Sequence, residues 1–374
     1  MKILFPVEVF YPSQAGGPAN SVYWLAKRLN EHGIQNTIVS TDKGLQPGEA
    51  RNRWVRNAAG DAIYIRTRNL AVPLGQTLTA LRQVAKTDIV HLSSIFFPSA
   101  FFTGVAARLF GKQIVWSVRG ELDPVALTYS TFRKKPFLWI TRNWLAPKAV
   151  FHSTCDEETS YIKDILGDDT AVVQIPNFIE IPPLEQRTAA DYILFVGRVH
   201  KKKGIENLLR AVASNESFLN GRFVLKIAGR GMPEYEYGLR ELVAELGLEQ
   251  KVEFLGQVEG VEKQRLYANA YWTVMPSHTE NFGLVVLESL AQNTPVIASK
   301  GSPWEVLERE NLGLWVDNSP ESLSDAITTV LTMEPEVYDD YRKRGRTFVE
   351  QNYDIGQNIA KWLDVYRSLT SLRS

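Results

Sequence analysis

The stretch Tyr192-Ile-Leu-Phe-Val-Gly-Arg198 indicates the fold class of this chain. Its five consecutive apolar residues predict a buried β-strand, and the glycine that follows marks the end of that strand. Comparable apolar runs recur further along the chain, at residues 223–228, 252–255, 272–275 and 295–298. Because strands that alternate with helices form a parallel, doubly wound sheet, we predict an α/β domain of that type.

A similar series precedes this one. Strands are predicted at residues 2–7, 37–40, 63–65, 88–92 and 113–118, with helices between several of them, at 78–85 and 99–109. Pro176, Pro182 and Pro183 fall between the two series, and no helix would continue undisturbed through them. We therefore interpret residues 175–190 as a linker and predict two α/β domains joined end to end.

Composition limits the class of protein. The chain has 374 residues, of which 44% are hydrophobic, enough for large buried cores. Lys and Arg total 42, as do Asp and Glu, whereas a nucleic-acid-binding protein normally has a basic excess. The single cysteine, Cys155, has no partner for an internal disulfide, no Cys/His spacing suggests zinc, and no run of about 18 apolar residues occurs. We expect a cytoplasmic protein without a metal site.

A cationic loop in the second domain is the first candidate site. Arg198 and the lysines at 201–203 follow the predicted strand that begins at Tyr192, at the strand end where open α/β sheets bind ligands. Arginine provides a fork of donors and lysine a point charge, a combination suited to a diphosphate. A run of three lysines is also typical of a solvated loop, and that alternative stays open.

Two glutamates form the second candidate. Glu280 and Glu288 flank a helix start predicted near Phe282-Gly283, with Asn281 or a neighbour as its cap. The free N–H groups of such a start would face an anion. If the stretch were wholly helical, the carboxylates would lie about 12 Å apart, suited to different hydroxyl groups of one long polar ligand. A plain helix start with an exposed Glu288 is the alternative.

The N-terminal domain offers weaker signals. Gly16-Gly17-Pro18 lies between the first strand and the first helix, where a glycine-rich turn can receive phosphate. The chain has no G-x-G-x-x-G fingerprint, no P-loop and no Asp-x-Asp triplet, which disfavours a dinucleotide oxidoreductase and a P-loop hydrolase. Arg119 follows the predicted strand 113–118. His278, in the loop before Glu280, is the histidine to test for a functional role, although a loop histidine without a role is the more common case.

Six sequence blocks occur in a characteristic order and spacing: residues 173–179, 193–198 with Lys203-Gly204, 227–231, 254–258, 275–288 and 291–298. In combination, they resemble the glycosyltransferase family 4 group, retaining nucleotide-sugar-dependent transferases. The resemblance implies a GT-B fold, two Rossmann-like doubly wound parallel-sheet domains with an interdomain cleft. It also implies that the last helix returns to the first domain. The expected domains are thus 1–182 plus about 355–374, on the acceptor side, and 183–354, which binds the nucleotide sugar.

The resemblance assigns a role to each matching residue. Arg198, Lys203 and Glu280 form the expected catalytic set, with the two cations on the donor diphosphate and Glu280 on the hydroxyl groups of the donor sugar. Glu288 is expected to bind the ribose. The other expected donor-binding residues are Gly16, Gly17, Arg119, Gly229, Val258, Asn281, Phe282, Gly283 and Leu284. Relatives often carry a histidine where this chain has Arg119, which cannot act as a general base at pH 7 and is expected to hold phosphate or the acceptor.

The resulting hypothesis is a retaining, metal-independent glycosyltransferase that needs no cofactor, because the nucleotide sugar is a substrate. The expected donor is UDP- or GDP-linked, and the expected acceptor is a saccharide or lipid-linked saccharide of cell-envelope or exopolysaccharide biosynthesis. A nucleotide-sugar epimerase of the same fold and a non-catalytic nucleotide-sugar-binding subunit stay open as alternatives. Residues 133–148 interleave five basic residues with apolar ones, so they predict either a peripheral contact with the inner face of the membrane or an ordinary amphipathic helix.

Overall fold

The structure is a computed structural model that describes residues 1–13, 17–128, 131–188 and 190–371, without the side chains of residues 125 and 131–133. The chain divides into two compact units. Unit 1 is Met1–Glu180 together with Ile355–Ser374, and unit 2 is Ile181–Asp354. Each unit has its own sheet with helices packed against it, so the predicted α/β class with two doubly wound domains is confirmed.

Unit 1 is built on an eight-stranded sheet with the order β3-β4-β2-β1-β5-β6-β7-β8. Its strands are β1 Lys2–Val7, β2 Gln35–Thr41, β3 Trp54–Asn57, β4 Gly60–Ile65, β5 Ile89–Ser93, β6 Gln113–Ser117, β7 Ala149–Ser153 and β8 Val172–Gln174. Its first six helices are α1 Gly17–Glu31, α2 Leu74–Val84, α3 Pro98–Leu109, α4 Pro124–Thr128, α5 Thr131–Ile140 and α6 Asp156–Leu166. The central strand β5 is buried along its whole length, as expected for a parallel strand covered on both faces.

Unit 2 is built on a six-stranded parallel sheet with the order β11-β10-β9-β12-β13-β14. Its strands are β9 Tyr192–Val196, β10 Val224–Ala228, β11 Val252–Gly256, β12 Trp272–Met275, β13 Val296–Ser299 and β14 Gly313–Val316. Its helices are α7 Ile205–Ala213, α8 Glu216–Asn220, α9 Pro233–Glu245, α10 Gly260–Asn269, α11 Leu284–Ala291, α12 Val306–Arg309, α13 Pro320–Leu331 and α14 Pro335–Tyr353. The strand order reverses between β9 and β12, and this switch point is where ligands bind in open α/β sheets.

Four strands that the sequence pattern did not predict are β3, β7, β8 and β14. They are three to five residues long, so their own apolar pattern is weak and pairing with a neighbour defines them. One of them, β3, departs from the parallel sheet because it pairs antiparallel with β4. Only Ala58 and Ala59 separate the two strands, and such a short connection allows a hairpin but no parallel crossover.

Residues 133–148 do not form a single helix. Pro136 lies inside α5, a five-residue π-helical turn, Thr141–Leu145, follows, and a 3₁₀ turn, Ala146–Lys148, ends the segment. Phe137, Leu138, Ile140 and Trp144 pack against the core of unit 1. Trp139 is the exception, since 68% of its surface is exposed. Among the described residues, no helix is both long and apolar enough to cross a membrane.

The last helix, α15 Ile355–Ser371, belongs to unit 1, where it completes a buried polar chain. Tyr366 Oη lies 2.6 Å from His91 Nδ1, whose Nε2 lies 2.8 Å from Ser117 Oγ. Ser117 Oγ is 2.8 Å from His152 Nδ1, and His152 Nε2 is 2.7 Å from the carbonyl of Ile175. Buried side chains of β5, β6, β7 and α15 are thus linked to one another by hydrogen bonds.

His91 and His152, the two histidines of this hydrogen-bonded series, are held neutral. Burial is the main cause: it lowers the pKa of His152 to about 3 and the pKa of His91 well below its usual range. The nearby Arg119 guanidinium lowers both pKa values further. A neutral imidazole can accept on one nitrogen and donate from the other, which is the pattern that a chain of hydroxyl and carbonyl partners needs.

We expect the free energy of unfolding to fall as the pH drops below about 6.5, the pKa of an unfolded histidine. Because the folded pKa values of His91 and His152 are depressed, the unfolded chain binds more protons in this range. The loss between pH 6.5 and 4.5 is about 2 kcal/mol per buried histidine. Urea unfolding of wild type and His152→Gln measures it, and the variant should show the weaker pH dependence. His32→Gln, at an exposed site, is the control, and equal slopes in wild type and His152→Gln would contradict the expectation.

Candidate functional site

The loops that follow three neighbouring strands of unit 2 lie in direct backbone contact. After β9, the Gly197 N–H donates to the Ala228 carbonyl at 3.0 Å, and the Val199 N–H donates to the Arg230 carbonyl at 3.0 Å. After β10, the Gly229 N–H donates to the Gly256 carbonyl at 2.7 Å. These bonds fix the loop that carries Arg198, whose side chain is exposed.

The contact between the loops after β9 and β10 requires a glycine at position 229. Its φ is +143°, and a Cβ at this position would lie 1.8 Å from the Gly197 carbonyl oxygen. A side chain would therefore push the two loops apart. In the structure, Gly229 lets one loop lie against the other, and its contact with the donor stays a prediction.

The loops after β9 and β12 meet at the switch point of the sheet. The residues Lys201–Lys203 form a short 3₁₀ turn, and the Lys202 carbonyl accepts from the His278 N–H at 2.8 Å. The turn ends at Gly204, with φ +62°, where a Cβ would lie 2.1 Å from the Pro276 carbonyl oxygen. The backbone thus brings the two predicted constellations together, although they are about 80 residues apart in sequence.

Lys203 and Glu280 form an ion pair across these loops, with Nζ in direct contact with Oε2. Ser277 Oγ also donates to Glu280 Oε2, at 3.2 Å, and the Glu280 N–H donates to the Gly301 carbonyl at 2.7 Å. Both charged side chains are about one-fifth exposed, so a ligand can reach them. Of the predicted catalytic set, the structure joins these two directly, and Arg198 lies five residues before Lys203 on the same loop.

Helix α11 begins at Leu284, and its N-cap position is Gly283 with φ +82°. The N-cap residue is thus Gly283, two residues after Asn281, and it makes no side-chain capping bond. The positive φ favours a glycine at this position, and a Cβ there would also lie 2.8 Å from Met275 Sδ. Phe282 is buried: its ring packs 5.2 Å from the ring of Trp304, which also donates to the Phe282 carbonyl.

Glu288 is held by two residues that the sequence analysis missed. Lys263 Nζ lies 2.8 Å from Glu288 Oε1, and Tyr267 Oη donates to Oε2 at 3.0 Å. Both partners lie on α10, four residues apart and hence on one helix face. Burial and the adjacent Glu288 carboxylate raise the pKa of Tyr267 well above its usual value, so it remains a hydrogen-bond donor. Helical spacing was the signal available in the sequence, but it did not name Glu288 as the partner.

Val258, a predicted donor-binding residue, lies in a hydrophobic cluster of unit 2. Val258 is 8% exposed and packs with Tyr192, Leu194 and Tyr267, so its side chain offers little to a ligand. Gly16 lies outside the described residues, and Gly17 is the first residue of α1 in unit 1. Within the described part of the chain, no group of three or more His, Cys, Asp or Glu residues could hold a metal ion.

Arg119 lies at the end of β6 in unit 1, in the left-handed region with φ +59°. Its guanidinium donates from Nε to Ser93 Oγ at 3.2 Å and from Nη1 to Ser21 Oγ at 3.2 Å and Asn177 Oδ1 at 3.1 Å. It lines a recess of unit 1 together with His152, Phe178 and Trp362. The sequence analysis named Arg119 but none of its three partners, which come from a helix, a strand end and the linker.

Two family models match the chain in succession. The model described as glycosyl transferase 4-like domain matches residues 16–177, and the model described as glycosyl transferases group 1 matches residues 179–348. Together they leave residues 1–15, 178 and 349–374 unmatched. The chain belongs to the glycosyltransferase family 4 group. The recognition made from the sequence blocks is confirmed.

Curated relatives of this family 4 chain match it over part of their length. It is 41% identical over 143 residues to an uncharacterized glycosyltransferase of Methanocaldococcus jannaschii, a match that spans 37% of this chain and 35% of the relative. It is 34% identical over 171 residues to D-inositol 3-phosphate glycosyltransferase of Corynebacterium glutamicum, spanning 44% of this chain and 40% of that protein. The matches thus cover less than half of the relatives concerned.

Solved structures match the family 4 chain over nearly its full length. Sucrose-phosphate synthase from Thermosynechococcus elongatus superposes with a TM-score of 0.80 at 21% identity, covering 99% of each chain. HepE of Anabaena, solved in complex with UDP-glucose, superposes with a TM-score of 0.77 at 17% identity, covering 98% of this chain and 100% of the other. At these identities the similarity establishes the fold, so the GT-B class is confirmed.

We expect Gly229→Ala to destabilise unit 2 by at least about 2 kcal/mol, because the added Cβ meets the Gly197 carbonyl and the backbone has a positive φ. Gly238→Ala is the matched control: this glycine is exposed within α9, and its Cβ would meet no heavy atom within 4 Å. The control should stabilise slightly, by up to about 1 kcal/mol. Urea unfolding measures both, and equal stability of the two variants would refute the loop-contact argument.

Proposed function

We propose that this chain is a retaining glycosyltransferase that moves a sugar from a nucleotide-diphosphate sugar to a hydroxyl group of a saccharide or lipid-linked saccharide. The observation that carries the proposal is the Lys203–Glu280 pair at the switch point of unit 2, on loops that also carry the exposed Arg198. Cations suited to a diphosphate and a carboxylate suited to sugar hydroxyls thus lie within one group of loops. A pathway of cell-envelope or exopolysaccharide assembly is part of the proposal.

The proposed transfer breaks the bond between the anomeric carbon of the sugar and the diphosphate oxygen. A bond forms on the same face between that carbon and the acceptor oxygen, whose proton passes to the departing diphosphate. Arg198 and Lys203 would stabilise the negative charge that develops on the leaving group, together with the N–H groups at the start of α11. Glu280, released from Lys203 by the diphosphate, would accept hydroxyl hydrogen bonds from the sugar.

The proposed enzyme needs neither a metal nor a cofactor, because Arg198 and Lys203 supply the positive charge that a diphosphate leaving group requires. Glu288 would accept the ribose hydroxyls, and Lys263 and Tyr267 orient its carboxylate for this role. Similar folds solved with UDP-glucose, UDP or UDP-2-fluoroglucose support a UDP-linked donor, with GDP as the alternative.

The test begins with the donor. In a thermal-shift panel of UDP, GDP, ADP, CMP and the matching nucleotide sugars, we expect one nucleoside diphosphate to raise the melting temperature, because it binds only the folded state. At about 100-fold excess over Kd the expected stabilisation is about 3 kcal/mol. Glu288→Ala should reduce the shift, and Glu249→Ala, which removes an exposed glutamate of unit 2, should keep it. If no nucleotide shifts the wild type, the donor assignment fails.

Turnover of the donor identified in this way tests the roles of Arg198 and Lys203. The double variant Arg198→Ala/Lys203→Ala should lower kcat/KM by at least about 100-fold with folding intact, whereas Lys201→Ala, on the same turn, should keep it. Activity that persists in EDTA is expected. Isomerised donor formed without acceptor would indicate the epimerase instead, and nucleotide binding without exchange or turnover would indicate a binding subunit.

A peripheral membrane contact is a further part of the proposal. It is supported by the exposed Trp139 and by Leu109 and Phe110, which are exposed at the end of α3. Arg108 stacks over Trp144 at 5.1 Å, so the end of α3 lies against the segment 133–148, whose sequence also contains basic residues. Exposed aromatic and aliphatic side chains among basic ones suit the interface of an anionic bilayer.

We expect the wild type to co-sediment with vesicles that contain phosphatidylglycerol and to remain in solution with phosphatidylcholine alone. Trp139→Ser should weaken this binding several-fold because it removes the exposed aromatic side chain. Trp54→Ser is the control, since Trp54 is also exposed but lies on β3. Equal sedimentation with both lipids, or equal loss in both variants, would rule out this surface.

A further inference from the structure

Arg119 of unit 1 is a cation without a counter-charge of its own. Its three hydrogen-bond acceptors, Ser93, Ser21 and Asn177, are all neutral. Its Nη2 has no acceptor in the described part of the chain, and Arg119 takes part in none of the ion pairs there. The residues outside that part include no Asp or Glu. The protein therefore provides no side-chain carboxylate in contact with this guanidinium.

Two carboxylates are near, but their oxygens are already hydrogen-bonded elsewhere. Glu158, which attracts Arg119 through space, accepts from the Gly120 N–H at 2.6 Å and from the Thr154 N–H and Oγ1 at 2.7 and 2.8 Å. Glu121 accepts from Ser94 Oγ and the Ile95 N–H, both at 2.6 Å, and from the Phe96 N–H at 3.0 Å. These carboxylates hold the loops of unit 1 and do not pair with Arg119.

The surroundings of Arg119 favour an anion. Arg119 is only partly exposed, and burial lowers the pKa of its guanidinium. A cation removed from water is costly unless an opposite charge compensates for it. His152, which lines the same recess, is neutral and supplies no negative charge. Glu158 attracts the guanidinium only through space, so a bound oxyanion would add the direct ion pair that the fold does not provide.

We propose that this recess binds an oxyanion, a phosphate or carboxylate, that belongs to the acceptor substrate. Arg119 is its charged donor, and Ser21 and Asn177 hold the guanidinium in place. The acceptor is favoured over the donor because the donor diphosphate already has Arg198 and Lys203 in unit 2. The assignment to an acceptor rests on the proposed glycosyl transfer, whereas the anion site itself rests only on unit 1.

The first test measures binding of inorganic phosphate and of malonate to the full chain by calorimetry at constant ionic strength. We expect saturable binding of at least one of these anions, weakened at least about tenfold in Arg119→Gln and less in Arg119→Lys. Asn177→Asp is the sharper variant because it places a carboxylate where Asn177 Oδ1 now lies, 3.1 Å from Nη1. It should abolish anion binding while the melting temperature stays unchanged or rises.

Asn69→Asp, at an exposed position of unit 1, controls for the added charge and should bind the anion as wild type does. Failure of both anions to bind the wild type, or unchanged binding in Asn177→Asp, would overturn the proposal.

A second experiment, with a saturating nucleoside diphosphate present, decides whether the anion belongs to the acceptor or to the donor. Anion binding that persists under these conditions, and that Arg198→Ala/Lys203→Ala leaves intact, supports the acceptor. If the nucleotide displaces the anion, and Arg119→Gln weakens the binding of the anion and of the nucleotide equally, the site belongs to the donor and the proposal is overturned. Anion binding without any nucleotide binding would leave the anion site standing and reject the proposed function.

Discussion

The close contact of backbone loops at the carboxyl ends of β9, β10 and β12 is the constraint on which the candidate site of unit 2 depends. Gly229 lies against the Gly197 carbonyl, and Gly204 lies against the Pro276 carbonyl, at separations that exclude any Cβ. The backbone bonds that result fix the turn of Lys203 against the loop of Glu280. The charged pair is thus positioned by the main chain, and two flexible side chains need not find each other unaided.

Unit 1 is subject to a different constraint, because the polar groups buried in its α/β sheet need hydrogen-bond partners. The chain from Tyr366 through His91, Ser117 and His152 satisfies its members with one another and with a carbonyl. Glu121 and Glu158 are likewise satisfied by N–H and hydroxyl donors. Arg119 differs from these groups because its partners are neutral and cannot balance its charge. This contrast separates groups that stabilise the fold from a group suited to a ligand.

The sequence predicted most of the long buried strands, because parallel strands covered on both faces are continuous apolar runs such as residues 192–196. It did not predict β3, β7, β8 or β14, whose short runs become strands through pairing. The helix near residue 282 was predicted, but not that Gly283 would take its N-cap position. Lys263 and Tyr267 were missed as partners of Glu288 because contacts between helices depend on packing, which a single sequence does not specify.

By itself, the sequence determined the α/β class, the two-domain organisation read from two strand series, the family resemblance, and the candidate residues Arg198, Lys203, Glu280 and Glu288. Those properties depend on periodicity and on residue type at fixed spacing, which are local. Only the tertiary structure decided that Lys203 contacts Glu280, that α10 holds Glu288, and that Arg119 has neutral partners. Such contacts join segments tens of residues apart, so they follow from the packing of strands and loops and not from any one stretch of sequence.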